Sequence, residues 1–245
     1  MPTRRSFGHS LLFLILAVAL FVFAVTPAKA QVPRLETKNG HQFATVVFMR
    51  SFWSGHPQYY SIAIDSVGDA AYECSPRLEQ QTGVPYMVQF HASASMRERT
   101  FNLAQQLKFF QLSDSEVQSS GSPNYYVAEN QSKNTLEFRE GTTDNSISYH
   151  ESRNTLIQQI TSLFEGMENT LQFGRNLTYL SRNRSPELAT QLKRMQDMAA
   201  QGKLLEVQAA APTLENIASD ESLSQVARQR AKALLKSAAA EIATP

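Results

Sequence analysis

The sequence predicts an α+β fold: an antiparallel sheet carrying one or two packed helices, followed by an α-helical C-terminal region. Three observations predict it. Apolar and polar side chains alternate at period two through much of residues 44–150, the pattern of half-buried strands. One helical stripe, formed by Met96, Thr100, Leu103, Leu107 and Phe110, interrupts that alternation. From about Glu151 the apolar spacing becomes helical and alanine becomes frequent. The chain therefore divides into residues 1–30, a β-rich part over 31–150 and a helical part over 151–245, whose first helix is expected to cover the sheet.

Residues 1–30 read as a cleavable bacterial-type signal peptide. Arg4 and Arg5 have no acidic partner, Leu11 to Val25 are unbrokenly apolar, and Thr26-Pro27-Ala28-Lys29-Ala30 ends on a small-x-small pattern. Ala28 and Ala30 are the side chains expected in the signal-peptidase cleft, with Gln31 beginning the mature chain. A permanent anchor needs about 20 apolar residues, so the run is short for one, and membrane contact is expected only in transit. Thr3-Arg4-Arg5-Ser6-Phe7 resembles a twin-arginine signal, whereas the very apolar core favours the general secretory route; both routes stay open. The expected location is periplasmic or extracellular.

The strands follow in order. Thr45 to Phe52 reads as the first. Tyr60, Ile62 and Ile64, a turn at Ser66-Val67-Gly68-Asp69, and Ala70, Tyr72 and Cys74 then make a hairpin signal. Tyr86, Val88 and Phe90 form the apolar face of another strand. Ser95-Met96-Arg97-Glu98 has the form of a capping box, in which serine and glutamate satisfy unpaired amides at a helix start. Ser113 to Asn124 is polar and reads as a surface loop. Leu136 and Phe138 match Ile147 and Tyr149 across Gly141-Thr142-Thr143-Asp144-Asn145, a second hairpin.

Leu156, Ile160, Leu163 and Met167, widened by Ile157, Phe164 and Leu171, mark a long amphipathic helix. Ser185-Pro186-Glu187 starts another, since proline is tolerated in a first turn, and Gly202 ends it. Two more are expected near Leu204–Ser219, kinked or divided at Pro212, and Leu223–Ile242, capped by Ser222. Such a tail resembles stacked helical repeats that bind partners, but no fixed period emerges. A helical hairpin packed on its own chain explains it equally well. A protein partner docking through these helices is the partner expectation.

Composition excludes several classes. The chain carries 23 Lys and Arg against 22 Asp and Glu; Arg4, Arg5 and Lys29 belong to the signal segment, so the remainder is slightly acidic. Nothing there favours a nucleic-acid partner. Cys74 is the one cysteine, so no intramolecular disulfide can form. It reads as a small apolar side chain inside a sheet, with interchain pairing or nucleophilic chemistry as alternatives. No Gly-x-Ser-x-Gly elbow, Ser-x-x-Lys, Walker loop or Gly-x-Gly-x-x-Gly occurs. Beyond residue 30 the histidines His41, His56, His91 and His150 lack local zinc-ligand spacing; His91 and His150, on polar strand faces, are the pair that a sheet could bring together. Glu79 with Asp65 or Asp69 offers only a generic acid pair. No catalytic residue, cofactor or metal is therefore assigned.

Ser51-Phe52-Trp53-Ser54-Gly55-His56-Pro57-Gln58-Tyr59-Tyr60 holds the only tryptophan beside other aromatics, glycine and proline. Tyr60 shares the inward face with Ile62, which turns Tyr59 outward. Trp53, His56 and Tyr59 are thus candidates for a shallow recognition surface, or for a plug at the end of the core. The run Pro57-Gln58-Tyr59-Tyr60-Ser61-Ile62-Ala63-Ile64-Asp65, with Gly68 and Tyr72, resembles the opening hairpin of a family of exported bacterial proteins of unknown function. Phe101-Asn102-Leu103-Ala104 and Leu163-Phe164-Glu165-Gly166 extend that resemblance. Trp53 and His56 stand where that pattern has a cysteine pair. The resemblance implies export and an α+β fold and assigns no active-site residue. The expected role is a non-catalytic binding or envelope-associated interaction module, with a hydrolase or other enzyme of unrecognised type as the alternative.

Overall fold

Strand geometry sorts the β-rich part into two faces. The computed structural model describes residues 43–52, 57–75, 86–117 and 132–242, and the statements of structure below concern these residues. They hold six strands, β1 (Thr45–Phe52), β2 (Tyr59–Asp65), β3 (Asp69–Cys74), β4 (Tyr86–His91), β5 (Ser132–Glu140) and β6 (Thr143–Tyr149), and six helices. The sheet order is β4-β3-β2-β1-β5-β6, with every neighbouring pair antiparallel. Tight turns join β2 to β3 and β5 to β6. Asp65 accepts from the backbone N–H groups of Val67, Gly68 and Asp69 at 2.8–3.0 Å, and Gly68 supplies the positive φ of 100°. The second turn is tighter than the sequence suggests: Thr143 to Asn145 already pair within β6, leaving Gly141 and Thr142 to reverse the chain.

Successive side chains of a strand point to opposite faces, so the registers align residues into rows across the sheet. Val88, Tyr72, Ile62, Phe48, Leu136 and Ile147 form one inner row. Phe90, Ala70, Ile64, Val46 and Phe138 continue the next, which ends on Asn145. Two helices cover these rows, α1 (Ala94–Gln106) and the 28-residue α3 (Thr155–Arg182). Phe164 of α3 stacks on Phe48 with ring centroids 5.2 Å apart. Burying side chains of this size contributes about 1.5–3 kcal/mol each.

The cap of α1 is Ser93, two residues before the serine of the expected box; its hydroxyl accepts from Met96 N–H at 3.2 Å. Glu206 outcompetes Glu98 for the role of acid at this end, as described below. The segment read as a loop from Ser113 begins instead with a helical turn, α2 (Asp114–Val117), because Glu116 reaches back to the Ser113 amide and hydroxyl, both at 2.8 Å. These bonds, with Lys108, hold the Glu116 carboxyl down at about 2.

The tail holds α4 (Leu188–Ala200), a 3-10 turn at Val207–Ala210, α5 (Ala211–Ser219) and α6 (Gln225–Ile242). Gly202, at φ 68°, ends α4 with Lys203 N–H bonded to Met198 O. Pro212 lies in the first turn of α5, so it starts that helix rather than kinking one. The cap of α6 is Ser224, which accepts from Ala227 N–H, whereas Ser222 bonds Asp220. Leu177, Leu192, Met195, Leu214, Ile217, Ala231 and Leu234 pack into a second core. The first half of α3 therefore serves the sheet and its second half serves the tail. None of the described helices is long and apolar enough to cross a membrane.

Candidate functional site

One hollow lies where the end of β4 passes into α1. Its volume is about 910 Å³, and its walls are Gln89, Phe90 and His91 of β4, the outward side of α1 with Arg97, Arg99 and Asn102, and Gln208, Ala209 and Pro212 of the tail. A second hollow of about 660 Å³ follows the other flank of α1, against Thr155, Gln158, Gln159 and Ser162 of α3. The two share Arg99 and Asn102 as a common rim. Together they form a trench rich in side-chain amides and hydroxyls, in which Glu98 is the one acid.

Glu206 lies behind the first hollow and fixes two of its lining residues, Ser93 and Gln208. It sits in the left-handed region, at φ 57°, and is 7% exposed. Its carboxylate accepts from Ser93 N–H at 2.7 Å and from the Ser93 hydroxyl at 2.6 Å, and Gln208 Nε2 donates to it as well. The positive end of α1, where a bound anion would otherwise be favoured, is thus already answered by a carboxylate from the tail. The backbone that carries Glu206 is fixed in turn. Leu205 N–H bonds Gly166 O at 3.1 Å, and Thr170 donates to Leu205 O at 2.7 Å. Gly166 leaves no room for a side chain here, because a Cβ would stand 2.7 Å from Leu205 Cγ.

Of the candidates named from sequence, Trp53, His56, His41 and Glu79 lie outside the described residues, as do Ala28 and Ala30. Tyr59 is half-buried on the face away from α3 and donates to Glu73 Oε1 at 2.6 Å. Burial, reinforced by Glu73, pushes its hydroxyl pKa up. Asp65 is committed to its turn. His91 and His150 do not meet, because β4 and β6 are opposite edges of the sheet. His91 instead places Nδ1 3.2 Å from Asp69, and its Cε1–Nε2 edge lies against Gly68. Neither ring nitrogen is directed at a serine. Among the described residues no group of three His, Cys, Asp or Glu could hold a metal.

Sequence reasoning missed a polar row at one end of the sheet. The registers align Tyr86, Cys74, Tyr60, Arg50, Asn134 and Tyr149 across all six strands on the inner face. Above them α3 presents Thr161, Glu165, Glu168, Gln172 and Arg175, spaced at helical periods. Thr161 bonds the Tyr149 hydroxyl at 2.5 Å, Glu165 pairs with Arg50, Gln172 donates to the Tyr72 hydroxyl at 2.6 Å, and Arg175 Nη1 donates to Cys74 Sγ at 2.9 Å. Burial, helped by the Glu165 charge, raises Glu168 to about 7 against the opposing pull of Gln172 and Arg50. Burial also lifts the Tyr149 hydroxyl to about 12. The signal was present in the sequence: four polar residues recur at i, i+3, i+7 and i+10 beside an apolar helix face. Only the strand registers reveal what they meet.

No protein-family model matches the chain, and no curated protein is significantly similar to it.

Proposed function

We propose that this chain is an exported, non-catalytic binding module and that its ligand lies along α1 in the trench between β4, α3 and the tail. The observation that carries this reading is the lining of the 910 Å³ hollow and its neighbour. Pockets of this size take ligands, and a few convergent polar groups fix the orientation. Side-chain amides donate and accept from one planar group, which suits ligand hydroxyls and acetamido groups that do the same. Phe90 and Pro212 add apolar surface for the carbon faces of sugar rings. With Glu206 occupying the positive end of α1, a neutral polyhydroxylated chain, a glycan, fits better than a phosphate-bearing ligand.

Export rests on residues 1–30 and places such a module among envelope or extracellular glycans. The tail contributes to the trench through Gln208 and Pro212. Its apolar stripes are spent on its own core, and Tyr179 and Val226, on separate helices, are its large exposed apolar side chains among the described residues. That favours the trench over the tail helices as the docking surface. The hydrolase alternative would need a base beside a nucleophile, and His91 is oriented away from that role.

Calorimetric titration with short N-acetylglucosamine and glucose oligomers tests the reading. One oligomer is expected to bind, and Asn102→Ala with Gln208→Ala to weaken it about tenfold or more, since each lost hydrogen bond costs about 0.5–1.5 kcal/mol. Turnover of the bound oligomer would decide for an enzyme instead.

A further inference from the structure

The Cys74 end of the polar row has a chemistry that the glycan-binding reading does not use. Cys74 is 0% exposed and lies at the last position of β3. The Arg175 guanidinium stands over the Tyr86 ring at 5.2 Å and donates from Nη1 to Cys74 Sγ. Arg175 is itself only 7% exposed. Its other terminal nitrogen, Nη2, is buried with no acceptor. A guanidinium with one terminal nitrogen on a sulfur and the other buried without an acceptor suits a thiolate that gains an oxygen.

We propose that Cys74 is a buried thiolate, stabilised by Arg175, that reacts with hydrogen peroxide to give a sulfenic acid. The sulfur electron pair attacks one peroxide oxygen; the S–O bond forms as the O–O bond breaks. Two electrons pass from sulfur to peroxide, and the second oxygen leaves as hydroxide, which solvent protonates. Arg175 Nη2, buried and without a partner, is the donor left over for the oxygen that sulfur acquires. Two features set the class of reactant. A thiolate rather than a thiol is the nucleophile, and a neighbouring cation favours it. Complete burial admits a small neutral oxidant in preference to a bulky reagent. Burial also opposes ionisation of the thiol, so Arg175 carries the proposal. Because the chain has one cysteine, the sulfenic acid cannot be resolved by an internal disulfide, and it persists until an external thiol reaches it.

The test uses the mature chain. Native protein treated with hydrogen peroxide is expected to gain one oxygen by intact mass and to be trapped at Cys74 by dimedone. An aromatic disulfide reagent should react at least about tenfold more slowly with native than with urea-unfolded protein, as access to the thiol governs its rate. Arg175→Lys is expected to slow peroxide oxidation about tenfold or more through loss of thiolate stabilisation. An ultraviolet titration of thiolate absorbance on the unmodified native chain does not depend on that variant folding. Thiolate present at neutral pH supports the proposal. Ionisation only at or above the ordinary thiol value of about 8.5, or oxidation that occurs only after unfolding, overturns it.

Discussion

Glu168, one turn after Glu165 on the same helix, is largely buried and feels the charges of both Arg50 and Glu165. Its carboxyl is raised from 4.5 to about 7, so folding favours the protonated form. That contribution to stability is complete below about 4.5 and is lost as pH rises through about 7. The groups that face it are Arg50, Glu165, Tyr60 and Gln172, and burial dominates their sum. Unfolding free energy is expected to fall between about pH 5 and about pH 8, and Glu168→Gln to remove about 1–2 kcal/mol of that fall once partial solvent access is allowed for. Urea melts of both chains across that range measure it; identical slopes would place the pH dependence elsewhere. Gly166 makes a second residue-scale prediction. A methyl group there meets Leu205, so Gly166→Ala is expected to cost about 1–3 kcal/mol by overpacking. Adding Leu205→Ala should recover part of the loss, and additive effects in the double variant would contradict this account.

Elements show how far local pattern reaches. Thr45–Phe52 and the Tyr59–Cys74 hairpin are legible because alternation and turn chemistry agree, and neither depends on distant residues. The buried stripe of α1 is legible in Met96, Thr100 and Leu103; Leu107 and Phe110 are also inside, but they follow the helix, which ends at Gln106 because Lys108, Phe109 and Phe110 take positive φ. The cap of α1 is not legible, because the choice between Ser93 and Ser95 is made by Glu206, which lies 113 residues away from Ser93 in the chain. The polar row is hidden for the same reason: Arg50, Cys74 and Arg175 look unrelated until five registers and one helix crossing are known. Trp53 and His56 stand out by residue type and by their place just before the Tyr59 strand, and they lie outside the described residues. If Glu206 is the acid that organises the start of α1, Glu206→Ala should cost about 1–3 kcal/mol, the usual penalty for stranding buried donors. It should also speed hydrogen exchange at the first amides of α1 more than in β2. Uniform acceleration across both would mean that the bond merely adds global stability.

The whole molecule is organised around α3, which has the sheet on its first half and α4–α6 on its second. All described residues fall in one compact unit, and the segment Leu204–Ala210 ties the tail to both α3 and α1. The chain from Gln31 onward is therefore expected to unfold in one transition. Truncation after Arg184 should abolish that transition, since it uncovers Leu177 and Leu180 and removes Glu206 from Ser93. Two resolved transitions in calorimetry, or a truncated chain that still melts cooperatively, would show that the halves are independent. The trench exists only because both halves contribute walls, so its role stands at this scale. The most direct measurement is an amide chemical-shift titration of the isotope-labelled chain from Gln31 onward with N-acetylglucosamine and glucose oligomers. Saturable shifts centred on Ser93–Gln106 and Gln208, and lost in the Asn102→Ala, Gln208→Ala chain, are the predicted result. Shifts confined to α4–α6 or to residues 53–58, or no saturable shift with any oligomer, would contradict the glycan-binding trench.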